Sequence, residues 1–504
     1  MNSVRLLLID VNRISIDTSL DMLEYPIGLV YVAAAVKMAF GAQVQVEIKS
    51  YHDKVDSEQT VRAWLHRFQP EIVGLRCLTM GRAPLHSIAD VARGCGVSLV
   101  VAGGPHASDS PGDVLQNRSF DCAAIGEGEE TMVELVRSFL AGEPLNEIQG
   151  LAVRGPDGAV KVTPRPLISD LDSLPLPDHR LVDFQGINSG HVDFSFRHNA
   201  LHANLFTSRG CPYGCIYCHQ MFGKKHRRHS TQRIMQEIRT LHDSFGITRF
   251  QIIDDIFNMD KRRAMELFDS ISRSGLKLVL SFPNAVRGDL VDAELVDAMW
   301  EAGVRYVAYA VETASPRLQK LIKKNLNLDR IAEAISLSTT RGIVTRGFFM
   351  IGFPTETEEE ANLTVEFARA SDLVLTLFFT VVYFPGTQLH RLARDLAGFS
   401  ELDLGLEEDY VRTREGPYAF SRATLDQLKR RAIREFFFSP RRIELFFRTM
   451  PNFYEQRDID ASMLATIISS EMKEEELEDD LSRERLHRYF LIANRFSGKS
   501  GFFV

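Results

Sequence analysis

The chain is 504 residues long, 45% hydrophobic and 25% charged, the make-up of a globular protein with more than one core. Fifty-nine basic residues against 67 acidic ones leave a net charge of -8, which argues against a general nucleic-acid binder. No apolar run reaches the roughly 20 residues of a membrane helix and no secretory signal is visible, so a cytoplasmic protein with no membrane span is expected.

Residues 1–145 alternate short apolar runs with helical periods. Runs at 4–10, 44–50, 71–76, 97–102 and 121–125 read as five strands, with helices between them, for example over 28–40 and 57–68. Strands this continuously apolar suit a parallel sheet covered on both faces. The expected domain is α/β and doubly wound, Rossmann-like, with ligands at the carboxyl ends of its strands. The turns at those ends are rich in glycine: Y-P-I-G-L at 25–29 after the first strand, G-G-P-H-A at 103–107 after the fourth, and G-E-G-E-E at 126–130 after the fifth. Such turns let backbone approach a ligand, and the helix starts that follow favour anionic groups.

Residues 146–200 read as a linker. It contains an extended pair around the P-D-G turn at 156–158, then L-P-L-P-D at 174–178, whose prolines disfavour helix. Asp193, His198 and His202 stand in or near it and are expected to be solvated or locally satisfied.

From residue 201 the alternation resumes. Strands are expected at 203–207, 249–253, 277–282, 304–311, 343–351 and 374–383, separated by amphipathic helices; Ile234, Ile238, Leu241 and Phe245 mark one helical face. Six β/α units over 201–395 make a partial (β/α)6 TIM-like barrel, with its chemistry at the carboxyl ends of the strands. After the first of these strands comes T-S-R-G-C-P-Y-G-C-I-Y-C-H-Q, which sets Cys211, Cys215 and Cys218 at C-x3-C-x2-C spacing. Thiolates select iron-sulfur clusters, zinc or copper(I). A structural zinc site wants four closed ligands, and His219, adjacent to Cys218, is badly placed to be the fourth. Disulfides do not suit a reducing cytosol. The isolated Cys77, Cys95 and Cys122 read as buried structural thiols. K-K-H-R-R-H at 224–229 reads as a solvated loop, with the steering of an anionic substrate as the alternative. Residues 396–504 are expected to form a helical, charged C-terminal region; its aromatic run at 436–447 reads as core, with a cap over an apolar substrate as the alternative, and the acidic stretch at 474–480 as an exposed face.

Three cysteines leave one corner of a 4Fe-4S cube without a protein ligand. The loop resembles the signature of the radical S-adenosylmethionine (SAM) enzymes, which implies that SAM occupies that corner and is cleaved to a 5'-deoxyadenosyl radical. The resemblance implies SAM contacts from Tyr217, an aromatic beside the adenine; from Asp254 or Asp255, to the methionyl ammonium; from Arg287, to the carboxylate; and from Glu312 and Gly352 at the ends of the fourth and fifth strands. Glu356 reads instead as a helix-start residue.

The glycine loops ahead of the cysteines resemble the cobalamin-binding domain of cobalamin-dependent radical SAM enzymes. The implied cobalamin contacts are Pro26, Gly28, Arg76, Thr79, Gly103, Gly104, His106, Gly126, Glu127 and Gly128. None of the fourteen histidines has an aspartate two positions before it, so the D-x-H-x-x-G motif that binds cobalt from below is missing. His106 is then expected at the corrin or its tail, and a side chain from R-C-L-T-M at 76–80 at the lower cobalt face. With 4Fe-4S, SAM and cobalamin, the implied reaction is methylation of an unactivated carbon of a small molecule, fed by an external electron donor of flavodoxin or ferredoxin type. Radical cyclisation, ring contraction or rearrangement with the same cofactors is the alternative reaction. A cobalamin or redox sensor is an alternative of a different class.

Overall fold

The computed structural model describes residues 3–12, 25–53, 55–184, 201–397 and 415–454. Asp193, His198 and the acidic stretch at 474–480 lie outside the described residues. The first sheet holds β1 (Val4–Asn12), β2 (Val44–His52), β3 (Ile72–Cys77), β4 (Leu99–Gly103) and β5 (Cys122–Ala124), paired in parallel in the order β2-β1-β3-β4-β5. Leu6, Leu7, Leu8 and Ile9 of β1 are all at most 1% exposed. Consecutive buried residues require cover on both faces, and helices Ile27–Phe40 and Gly128–Ala141 pack together on one side while Glu58–Phe68 and Arg82–Gly94 pack together on the other.

The extended pair expected in the linker is β6 (Leu151–Arg154) and β7 (Val160–Thr163). It is not part of a free connection: β6 pairs antiparallel with β5 and β7 with β6, so the first sheet has seven strands and runs past the boundary expected at 145. The edge of β5 offers unpaired backbone groups, and a hairpin close behind it in sequence satisfies them.

The second sheet is parallel throughout, in the order β15-β14-β13-β12-β11-β8, with β8 (His202–Leu205), β11 (Arg249–Ile252), β12 (Val279–Val286), β13 (Val304–Glu312), β14 (Val344–Ile351) and β15 (Leu375–Thr380). Between β8 and β11, the two-residue strands β9 (Ser208–Arg209) and β10 (Arg227–Arg228) pair antiparallel and pinch off the cysteine loop at its base. Helices Arg422–Phe437 and Pro440–Tyr454 lie against β13, β14 and β15, and Phe436, Phe437 and Phe446 are buried there, so the aromatic run is core. Arg442 lies over the Phe436 ring at 3.8 Å and donates to the carbonyls of Ala368, Arg369 and Ser371 at the end of helix Glu358–Ala370, where a cation complements the unsatisfied carbonyls.

Candidate functional site

Gly210 opens the cysteine loop at φ +87°, and a Cβ there would stand 2.4 Å from the carbonyl oxygen of Lys225, so only glycine fits. Its N–H donates to Asp255 Oδ2 at 2.9 Å, and the Cys211 N–H donates to the Gly223 carbonyl at 3.2 Å. Ile216 is buried with Ile322, Phe353 and Leu389, and backbone bonds tie it to Ile322 and Leu389. The loop is thereby fixed against the barrel, with Cys215 buried, Cys211 partly buried and Cys218 exposed. Burial raises the Cys211 thiol. Among the described residues no three His, Cys, Asp or Glu side chains converge as the ligands of a single ion would. A cubane instead takes thiolates at three separate corners, which three cysteines spread over one loop can supply.

Five of the SAM contacts expected from sequence gather around this loop, in different circumstances. Tyr217 donates its hydroxyl to Glu312 at 3.1 Å, and Lys324 Nζ donates to the same oxygen at 3.1 Å. Glu312 ends β13 at φ +67°, uncommon for a residue with a side chain and the kind of strain that collects at functional sites. Lys324 escaped the sequence reading; its only trace there is the K-K-N after a short helix. Asp254 accepts from the Thr207 N–H at 2.7 Å and the Ser208 hydroxyl at 2.6 Å, as well as from the Thr207 hydroxyl. It is 2% exposed and raised by burial, so it anchors the start of the cysteine loop. Its neighbour Asp255 reaches the cavity described below. Arg287 stacks on Tyr213 at 3.9 Å, pairs with Asp289 and donates to the carbonyls of Lys324 and Asn325; its fork is taken by the chain itself rather than held open for a ligand carboxylate.

Gly352 has φ +104°, but the side a Cβ would occupy is faced by Tyr418 at 3.5 Å, and its carbonyl accepts from the Tyr383 hydroxyl at 2.6 Å. Glu356 does not start the next helix, whose cap is Thr357. It folds back to accept from the N–H groups of Gly352 and Phe353, and burial pushes its carboxyl up to about 8.

Among the described residues, the carboxyl ends of the first domain's strands face several cavities, two of which take in the expected cobalamin contacts. The smaller, of about 130 Å³, is lined by Gly28, Arg76, Gly103, Gly104, Gly126, Glu127 and Gly128. Gly104 has φ +82° and a Cβ there would meet Arg76 Cγ at 2.6 Å, while no atom lies within 4 Å of a Cβ on Gly28. The larger, of about 400 Å³, lies between the domains: Pro26, Gly28, Arg76 and Leu78 form one wall, Asn204, Gln251, Asp255 and Asn284 of the barrel another, and His219, Met221 and Phe222 of the cysteine loop close it. Eight of the ten expected cobalamin contacts thus line a cavity, and glycine turns that let backbone come close fit a flat, bulky cofactor.

Two do not. Thr79 is buried in a short 3-10 turn, and Leu78 takes the place on the wall. His106 is 1% exposed with Nε2 3.0 Å from Asp113 Oδ2, turned into its own domain. Glu127 touches the cavity, but its carboxylate is spent on Arg209 at 2.9 Å and Arg227 at 2.8 Å, while Glu129 takes the other arm of Arg209 at 2.6 Å. Arg209 is 2% exposed among the rings of Tyr31, Phe206 and Phe222. This buried knot fastens the first domain to the base of the cysteine loop. It also corrects the reading of the basic run at 224–229: Arg227 and His229 point inward while Arg228 points to solvent, the alternation of a strand. His202 is likewise buried, on β8.

Residues 205–368 match the model of the Radical SAM superfamily, and residues 16–136 that of the B12 binding domain. The chain is 30% identical over 372 residues to an uncharacterized methyltransferase of Pyrococcus horikoshii, covering 73% of this chain and 78% of that one. It is 29% identical over 419 residues to the cytidylyl-2-hydroxyethylphosphonate methyltransferase of Streptomyces wedmorensis, covering 73% and 77%. Its fold is similar to that of the methyltransferase TsrM from Kitasatospora setae, solved with cobalamin and a 4Fe-4S cluster, at a TM-score of 0.64 and 21% identity over 79% of this chain and 76% of that one. It is similar also to OxsB, solved with aqua-cobalamin and SAM, at a TM-score of 0.66 and 14% identity over 98% and 84%. Two domain models in the expected order and a relative that shares most of both chains lead to one assignment: the chain belongs to the cobalamin-dependent radical SAM enzymes.

Proposed function

We propose that this enzyme methylates an unactivated carbon of a small molecule held in the cavity between its two sheets. The observation that carries the reading is the composition of that cavity, which brings the first domain's strand ends, the barrel's strand ends and the cysteine loop to one chamber. When bound, the cluster with SAM would supply a radical, and cobalamin a methyl group. The chain's own part is to hold and orient. Cys211, Cys215 and Cys218 would hold the cluster. Asp255, fixed through the Gly210 N–H and exposed on the cavity, would receive the methionyl ammonium. Tyr217 is buttressed by Glu312 and Lys324 and would offer its ring to the adenine.

Gly28, Gly103, Gly104, Gly126 and Gly128 would face the cobalamin, with Arg76 or Leu78 below the metal. Arg76 is tethered to Asp10 at 2.8 Å, so it is directed as a positioned cation rather than a ligand. The seven-stranded sheet of β1 to β7 with its helices would act as the cobalamin domain, residues 201–397 as the radical SAM barrel, and the helices Arg422–Phe437 and Pro440–Tyr454 as its cover. An external one-electron donor of flavodoxin or ferredoxin type would reduce the cluster. Among the described residues no helix is long and apolar enough to cross a membrane.

Protein reconstituted anaerobically with iron, sulfide and hydroxocobalamin should release 5'-deoxyadenosine from SAM under a strong reductant, as followed by chromatography. Absence of that product from cluster-loaded protein would rule the reading out.

A further inference from the structure

The inner wall of the barrel presents polar side chains to the inter-domain cavity. β8 and β11 pair in parallel with Asn204 opposite Gln251 and His202 opposite Arg249. Paired residues of a parallel ladder share one face, so Ala203, Leu205, Phe250 and Ile252 go to the core while His202, Asn204 and Gln251 line the inter-domain cavity. Asn204 is 8% exposed, and its Oδ1 is buried without a hydrogen-bond partner. A buried amide oxygen left unpaired is costly and rare, and here the side chain forms part of a cavity wall.

We propose that Asn204, with Gln251 beside it, recognises the substrate through a neutral group that donates a hydrogen bond: a carboxamide, a hydroxyl or a heterocyclic N–H. The inference rests on the reading of this cavity as the reaction chamber. The need for a donor follows from the unpaired oxygen. The neutrality follows from the ionisable side chains on the wall, which are already committed: Arg76 to Asp10, His219 to Asp109, and Asp255, on the reading above, to the methionyl ammonium of SAM. Asn204 stands three residues before Thr207, where the chain turns into the cysteine loop. The recognised group would therefore lie inside the barrel while the carbon to be modified stays at its mouth. A site built to bind an N–H or O–H discriminates strongly against an analogue that lacks it.

Four nearly isosteric probes test this on the full chain by ligand-observed magnetic resonance: acetamide, acetone, acetate and acetamidinium. Wild-type protein should bind acetamide at least about tenfold more tightly than acetone or acetate. Asn204→Leu should bring acetamide down to the level of acetone, and Asn204→Asp should shift the preference to acetamidinium, an exchange that a misfolded variant would not show. Equal binding of acetamide and acetone by the wild type, or an acetamide preference that survives in Asn204→Leu, overturns the assignment. Release of 5'-deoxyadenosine by the wild type is measured separately, so a failure of the enzyme reading is told apart from a failure of this one.

Discussion

Replacing Cys211, Cys215 or Cys218 by alanine should abolish both the brown chromophore of the reconstituted protein and its cleavage of SAM. Each thiolate would hold a different corner of the cube, so no remaining side chain is placed to substitute for it. Neighbouring His219 is engaged with Asp109, and among the described residues no alternative set of ligating side chains stands ready. The loop itself should survive the substitution, because Gly210, the bonds of Ile216 and the β9 to β10 pairing hold it without the sulfurs. Iron content, visible absorption and 5'-deoxyadenosine release report the loss. Retained SAM cleavage in the triple variant would contradict the role given to these cysteines.

The second large effect concerns stability. Arg209→Met should destabilise the fold by about 3–5 kcal/mol, the range for removing one partner of a buried ion pair. Glu129 and Glu127 would keep their buried carboxylates but lose the guanidinium between them, and Arg209 also supplies cation-π contacts to three rings. Arg228→Met makes the contrast. Its pair with Asp260 is half exposed, and surface pairs contribute only about 0–1 kcal/mol. Urea unfolding of the two variants beside the wild type separates these magnitudes. An Arg209→Met protein within about 1 kcal/mol of the wild type would show that the knot is dispensable.

The strands were legible because both sheets are mainly parallel and buried on both faces, which leaves unbroken apolar runs such as L-L-L-I in β1. Most observed boundaries fall within a few residues of the expected ones. What each polar residue does at a strand end was less legible, because sequence neighbours point opposite ways. Asp254 and Asp255 are adjacent, yet one is consumed by Thr207 and Ser208 and the other reaches the cavity. Thr79 and Leu78 exchange places for the same reason. The charge run at 224–229 reads as solvated only until β10 pairs with β9 and turns alternate residues inward. The knot of Arg209 with Glu127 and Glu129 joins positions about 80 residues apart, a pairing that no local pattern announces. The hairpin β6 to β7 was visible as a hairpin, but not the edge it covers.

The central claim is that cobalamin sits between the domains with no protein imidazole on its lower face, and paramagnetic resonance of the cob(II)alamin form tests it most directly. His106 is turned toward Asp113, and the first domain's wall of the cavity includes Pro26, Gly28, Arg76 and Leu78. The expected spectrum is base-off, without the triplet splitting that an axial nitrogen imposes, and it should be unchanged in His106→Ala. Triplets that vanish in a histidine variant, or a reconstituted protein that takes up no hydroxocobalamin at all, would contradict the account.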